Sequence, residues 1–144
     1  MTIKSIYLIG SLRNPDIPKI GNKIRELGIE AFDDWHDAGP EADDWWMHDE
    51  KLKGRSYKEA LAGWAAKHVF QGDKEHLDRC DAAILVLPAG KSGHLELGYM
   101  AGKGKPVFIL FDQEPERWDV MVQFAEAGLF FSQDEMIEGL KKYV

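Results

Sequence analysis

A chain of 144 residues is long enough for one domain with its own core and too short for two ordinary ones. Hydrophobic residues at 44% and charged residues at 30% exclude a disordered chain. The formal net charge of -7, from 18 basic and 25 acidic side chains, excludes a broad surface for the backbone of DNA or RNA but leaves room for a small anion.

Short apolar runs alternate with helical patterns along the whole chain. Ile6 to Ile9 reads as a strand closed by Gly10, and its four apolar residues are too few for a signal peptide or a membrane span. Ile20, Ile24 and Leu27 have helical spacing, and Gly28 follows as a C′ glycine. Ile29 to Trp35 is a second, weaker strand. Residues 36–56, HDAGPEADDWWMHDEKLKGRS, form a long acidic connection with adjacent Trp45 and Trp46, expected to act as a lid or subunit-contact loop. Tyr57 to Cys80 reads as one long helix with Leu61, Trp64, Ala65, His68, Val69 and Leu77 on its apolar side.

The run Ala82 to Leu87 (AAILVL) shows no alternation, as suits a strand covered on both faces. After it come a helix at 92–103, a strand from Val107 to Phe111, a helix near Trp118 to Ala127, a short strand at 129–131 and a final helix from Gln133. Five strands alternating with helices call for a three-layer α/β sandwich, Rossmann-like in build, around a parallel sheet. The flavodoxin-like order 2-1-3-4-5 is the common solution for five strands. The single cysteine, Cys80, allows no intrachain disulfide, is expected to be buried, and with the absence of a long apolar run suggests a cytoplasmic protein.

In such a sheet a ligand binds beyond the carboxyl ends of the strands, where the strand order reverses. Two segments converge there: Gly10-Ser11-Leu12-Arg13 after the first strand, and Gly90-Lys91-Ser92-Gly93 after the third. With Ser92 as N-cap, Gly93 takes the first helical position and Glu96 the fourth, where amide dipoles hold a carboxylate ionised. An acid there either complements the dipole from the surface or serves the crevice; the crevice position favours the second. Asp73 lies four residues after Val69 and four before Leu77, so a helix continuous through Gly72 points it inward. Two inward carboxylates suit glycosyl chemistry. Ser11 and Arg13 could hold a phosphate, although Arg13 alone reads equally well as a surface charge. The histidines at 36, 48, 68, 76 and 94 show no paired metal spacing; His68 is expected in the core and His94 beside the site.

These residues resemble the nucleoside 2-deoxyribosyltransferase family. LELGYMAGKGKPV at 95–107 is similar to the family segment whose E-x-G-Y glutamate is the nucleophile, which maps to Glu96. Asp73, eight residues before Asp81, matches the aspartate that aids departure of the base, and Tyr7 matches the tyrosine that orients the nucleophile. GSLR at 10–13 resembles the branch that hydrolyses nucleoside 5′-monophosphates, which gives Ser11 and Arg13, with Gly10, a phosphate role. The resemblance covers the first strand and roughly residues 65–112. It departs at Gly90, where family members often carry Asp or Ser, leaving Ser92 or Lys91, beside Gly93, for the sugar and phosphate contacts.

The resemblance implies a single deoxyribosyltransferase-like domain over 1–144, a homodimer or larger, and a retaining reaction through a ribosyl ester on Glu96 without metal or organic cofactor. Its small-molecule partner would be a nucleoside or nucleotide, and the sugar would pass to water or to another base. Two other readings stand beside it: a non-catalytic nucleotide sensor, and an NAD-cleaving glycohydrolase, against which the short crevice loops weigh.

Overall fold

The computed structural model describes residues 1–144. Five strands form one parallel sheet in the order β2-β1-β3-β4-β5: β1 Ser5–Ile9, β2 Glu30–Phe32, β3 Ala82–Val86, β4 Val107–Leu110 and β5 Gly128–Phe130. The expected sheet order is therefore the observed one. β3 and β1 lie side by side with Tyr7 opposite Ala83 and Leu8 opposite Ile84, and all of β3 is buried, as its unbroken apolar sequence requires.

Alternation along β1 divides the core into two layers. Ile6 and Leu8 point to the face covered by α1 (Ile17–Glu26) and α6 (Gln133–Leu140), packing with Ile20, Ile24, Ile84 and Met136. Tyr7 and Ile9 point to the opposite face, where α4 (Trp64–Arg79) supplies Leu77 and α5 (Lys91–Gly102) supplies Leu97 and Met100. Cys80 is buried in this second layer as expected. Gly28 and Gly104, with φ of 85° and 76°, stop α1 and α5 in the left-handed conformation that favours glycine.

Four segments differ from the sequence expectation. Residues 36–56 are mostly helical: a 3-10 turn covers Asp34–Ala38 and α2 covers Ala42–Leu52, with Glu50 buried against Arg55 at 2.8 Å. The long helix from Tyr57 is broken into α3 (Tyr57–Leu61), opened by a Ser56–Glu59 capping box, and α4. Gly63 is the point of the break. The apolar side of this segment is largely uncovered, with Trp64, Val69 and Phe70 all more than half exposed, and His68 is exposed rather than in the core. Between β4 and β5 only Val120–Phe124 is helical, as a 3-10 stretch capped by Asp119, because Val120, Met121 and Phe124 find nothing in the chain to be buried against. The second strand is confined to Glu30–Phe32.

Lys105 ties the end of α4 to the sheet. Its ammonium donates to the carbonyls of Leu77, Asp78 and Cys80 at 2.9, 2.7 and 2.8 Å, which would otherwise be orphan acceptors at a helix terminus. Replacing Lys105 with Met is expected to destabilise the fold by about 1–3 kcal/mol, read from the midpoint of urea unfolding.

Candidate active site

Three side chains from three elements meet on the second face of the sheet. Tyr7 is fully buried in the middle of β1, Asp73 comes from the third turn of α4, and Glu96 comes from the second turn of α5. α4 runs unbroken through Gly72 and Asp73 lies one turn before buried Leu77 on the same side, although Val69, one turn earlier still, is exposed. Gly93 lets α5 lie close to the sheet. A Cβ there would stand 3.2 Å from both Ile9 and Leu85 and 3.3 Å from Ala89, tighter than side chains normally pack. Any larger residue would push Glu96 away from Tyr7.

The helix bearing Glu96 begins earlier than its serine suggested. Gly90, not Ser92, is the N-cap, so Glu96 sits at the sixth helical position and Ser92 is exposed at the second. No side chain caps the first amides of α5, while the His94 ring bonds the Gly90 carbonyl at 2.8 Å. One turn further in, the helix dipole no longer dominates. Burial raises the Glu96 pKa first and the neighbouring charge of Asp73 second, to about 7, against a smaller downward pull from the Tyr7 hydroxyl. The expectation that the dipole keeps Glu96 ionised is thus corrected.

Burial also raises the Asp73 pKa, opposed by the positive charge of His76 one turn along α4. Tyr7 is held far above its usual range by burial, then by the charges of Glu96 and Asp73, so its hydroxyl stays a proton donor. The groups act on one another: the charge of Asp73 raises the Glu96 pKa, and both acids raise that of Tyr7. His76 is the titratable neighbour that spacing alone could have flagged, since i and i+3 residues adjoin on a helix; its ring stacks on Phe32 with centroids 3.8 Å apart.

The loops beyond β1 and β3 adjoin, because a Cβ on Gly10 would come within 3.4 Å of the Val86 carbonyl. Ser11 and Arg13, however, are turned to their own surroundings. The Ser11 hydroxyl accepts from the Arg13 amide at 3.1 Å, and the Arg13 guanidinium donates to Asp44 of α2 at 3.0 Å. The same loop is fixed by His36, whose ring bonds the Asn14 carbonyl at 2.8 Å. Glu96, Asp73 and Tyr7 are therefore brought together, whereas Arg13 is paired with Asp44, which no motif marks as its partner. No group of three or more His, Cys, Asp and Glu side chains is arranged to hold a metal ion.

This arrangement stands on a known scaffold. A 2-deoxyribosyltransferase from Bacillus psychrosaccharolyticus superposes with a TM-score of 0.65 at 20% identity, over 92% of this chain and 90% of that one. The CMP N-glycosidase of Clostridium botulinum superposes with a TM-score of 0.59 at 14% identity, over 95% of this chain and 98% of that one. The chain shares its fold with both. No family model matches the sequence, and no curated protein matches it. At these identities the likeness establishes the fold, and the chemistry rests on the site itself. No helix is long and apolar enough to cross a membrane.

Because the folded state raises the Glu96 pKa above its unfolded value, Glu96 favours folding most below about pH 4.5, and that contribution is lost as pH rises through about 7. Glu96→Gln is accordingly expected to stabilise the protein by about 2–3 kcal/mol at pH 8 and to leave it nearly unchanged at pH 4.5, measured by urea unfolding at both pH values.

Proposed function

We propose that the protein cleaves the N-glycosidic bond of a (deoxy)nucleoside or its 5′-monophosphate, with Glu96 as nucleophile. The observation that carries this reading is the meeting of Glu96 and Asp73, from separate helices, over the undissociated hydroxyl of Tyr7. The two scaffolds described above belong to a 2-deoxyribosyltransferase and a CMP N-glycosidase, which supports the same substrate class.

The reactive form has Glu96 ionised and Asp73 protonated. Burial and the charge of Asp73 favour the proton on Glu96 and work against this arrangement, while the Tyr7 hydroxyl favours it by pulling the Glu96 pKa down. Glu96 attacks C1′ of the sugar, a C–O bond forms as the C–N bond breaks, and the base departs with the bonding pair. Asp73 supplies the proton that the departing base needs. Water or a second base then attacks C1′ and gives its proton to the Asp73 carboxylate, the ester C–O bond breaks, and Glu96 leaves as a carboxylate with retention overall. Each step uses only groups of this chain and the substrate.

A 5′-phosphate would have to take the Arg13 guanidinium from Asp44. Both partners of that ion pair are more than half exposed, at 70% and 59%, so the pair is weak and a dianion offering two oxygens can replace it. Ser11 and the loop amides complete that phosphate position, and Gly90, Ser92 and Gly93 border the sugar from the start of α5. The acidic helix α2 then serves as a cover next to the crevice rather than as an open loop.

The uncovered apolar face supports assembly into a homodimer or larger oligomer. Trp64 at 78%, Phe70 at 65% and Leu95 at 76% exposure leave large apolar side chains on α4 and α5 that one copy does not bury. Trp64→Glu is expected to lower the mass measured by sedimentation equilibrium to that of a single chain; a wild-type protein that is already monomeric would refute the assembly.

The decisive assay separates products chromatographically after incubation with nucleosides and their 5′-monophosphates, with and without a second free base. Free base released by the wild type and lost by at least about a thousandfold in Glu96→Ala establishes the reaction. A new nucleoside that appears only with the second base identifies a transferase. Arg13→Ala should lower monophosphate turnover more than nucleoside turnover. Binding without turnover of any substrate would leave a sensor and end the enzymatic reading.

A further inference from the structure

Beyond the reacting groups, α4 and α5 are joined by side-chain hydrogen bonds at a single place, and that place lies on the two helices that carry the carboxylates. The Tyr99 hydroxyl donates to Oδ1 of Asp78, and the Lys103 ammonium donates to the same oxygen at 2.8 Å. Lys74 holds the other carboxylate oxygen at 3.1 Å. The ammonium groups of Lys74 and Lys103 stand 5.6 and 5.2 Å from the centre of the Tyr99 ring, so two cations adjoin the ring. These contacts hold the Asp78 carboxyl well below the usual carboxylate range, first through Lys103 and then through Tyr99 and Lys74.

The placement along each helix gives this cluster a role. Asp78 follows Asp73 by five residues on α4, and Tyr99 follows Glu96 by three on α5. Both helices run antiparallel to the strands, hence parallel to each other, so a link between their later turns fixes how far apart their earlier turns lie. Lys105 anchors the end of α4 to the segment leaving α5 at the same end of the helix pair. Glu96 and Asp73 repel, and in the absence of a tie the helices would relax apart and admit water.

We propose that Tyr99, acting through Asp78 and Lys103, is a positioning residue that sets the gap between Asp73 and Glu96. The catalytic consequence rests on the N-glycosidic reading above; the mechanical one does not. Glu96 is faced by Tyr7 from β1 and by Asp73 from α4, with His76 beyond Asp73. Loosening the clamp lowers both burial and Asp73 repulsion at Glu96, so both changes act in the same direction.

The test uses Tyr99→Phe, which removes the hydroxyl but no charge and keeps the ring beside its two lysines, with Tyr99→Leu as a second neutral change of larger size. The Glu96 carboxyl is followed by carbon-13 NMR across pH 4–9 in the full-length protein, and kcat/KM is measured over the same range. The titration midpoint of Glu96 should fall from near 7 by about one pH unit in Tyr99→Phe and further in Tyr99→Leu. The acid limb of kcat/KM should move with it, and kcat/KM at its optimum should drop by about tenfold. A lower thermal midpoint with the Glu96 titration unmoved in both variants would overturn the proposal and leave Tyr99 a purely structural residue. A moved titration in a protein that turns over neither nucleosides nor their 5′-monophosphates would uphold the clamp and refute the glycosidic reading instead.

Discussion

Asp73 and Glu96 are partly withdrawn from water beside each other, over a tyrosine that cannot ionise, and this arrangement opposes folding at neutral pH. A charged carboxylate loses hydration on burial, and a second one nearby adds repulsion. The rest of the second layer must therefore hold in place what these groups would push apart. Leu77, Leu97 and Met100 press α4 and α5 onto β1 and β3, and Gly93 allows α5 to come close enough for Glu96 to face Tyr7. The site is a strained part of an otherwise self-consistent α/β core, which is where function is expected to depart from stability.

The topology explains why such distant residues meet. Tyr7 belongs to the first strand, whereas Asp73 and Glu96 flank the third, and the order 2-1-3-4-5 makes those strands neighbours. Alternation then sends Tyr7 and Ile9 to the face that α4 and α5 cover. A shift of one residue in the pairing of β1 would turn Tyr7 into the other layer and leave the carboxylates without their donor. Electrostatic selection between the two acids depends on that register.

Much of this was legible from spacing. The unbroken AAILVL run marks a strand covered on both faces, the glycines at 28 and 104 mark helix ends, and the four-residue spacing to buried Leu77 puts Asp73 on its side of α4. The start of α5 was not legible, because Ser92 is a favoured capping residue type, whereas the cap is Gly90, which offers no side-chain signal. That single displacement changed the sign of the Glu96 argument. Position six is governed by burial and by Asp73, whereas position four would have been governed by the dipole. The partner of Arg13 was equally hidden, since Asp44 lies 31 residues away on a helix that looked like an acidic loop.

The stripe along residues 61–70 carries a more general lesson about helical periodicity. Leu61, Trp64 and Val69 have the spacing of a core-facing side, yet they are exposed, while the same helix buries Leu77 nearer its end. Periodicity reports that a face is to be covered; it does not say by what. Within one chain α4 reaches the sheet only through its last turns, so the apolar side of its first turns has no partner there. The helix that presents Asp73 to Glu96 is thus fastened at one end, by Leu77, Lys105 and the Tyr99–Asp78 contact, and open at the other. Asp73 sits between those two ends. Whatever covers the open half therefore bears on the same helix that sets the distance between the two acids, and assembly and carboxylate geometry are mechanically connected through α4.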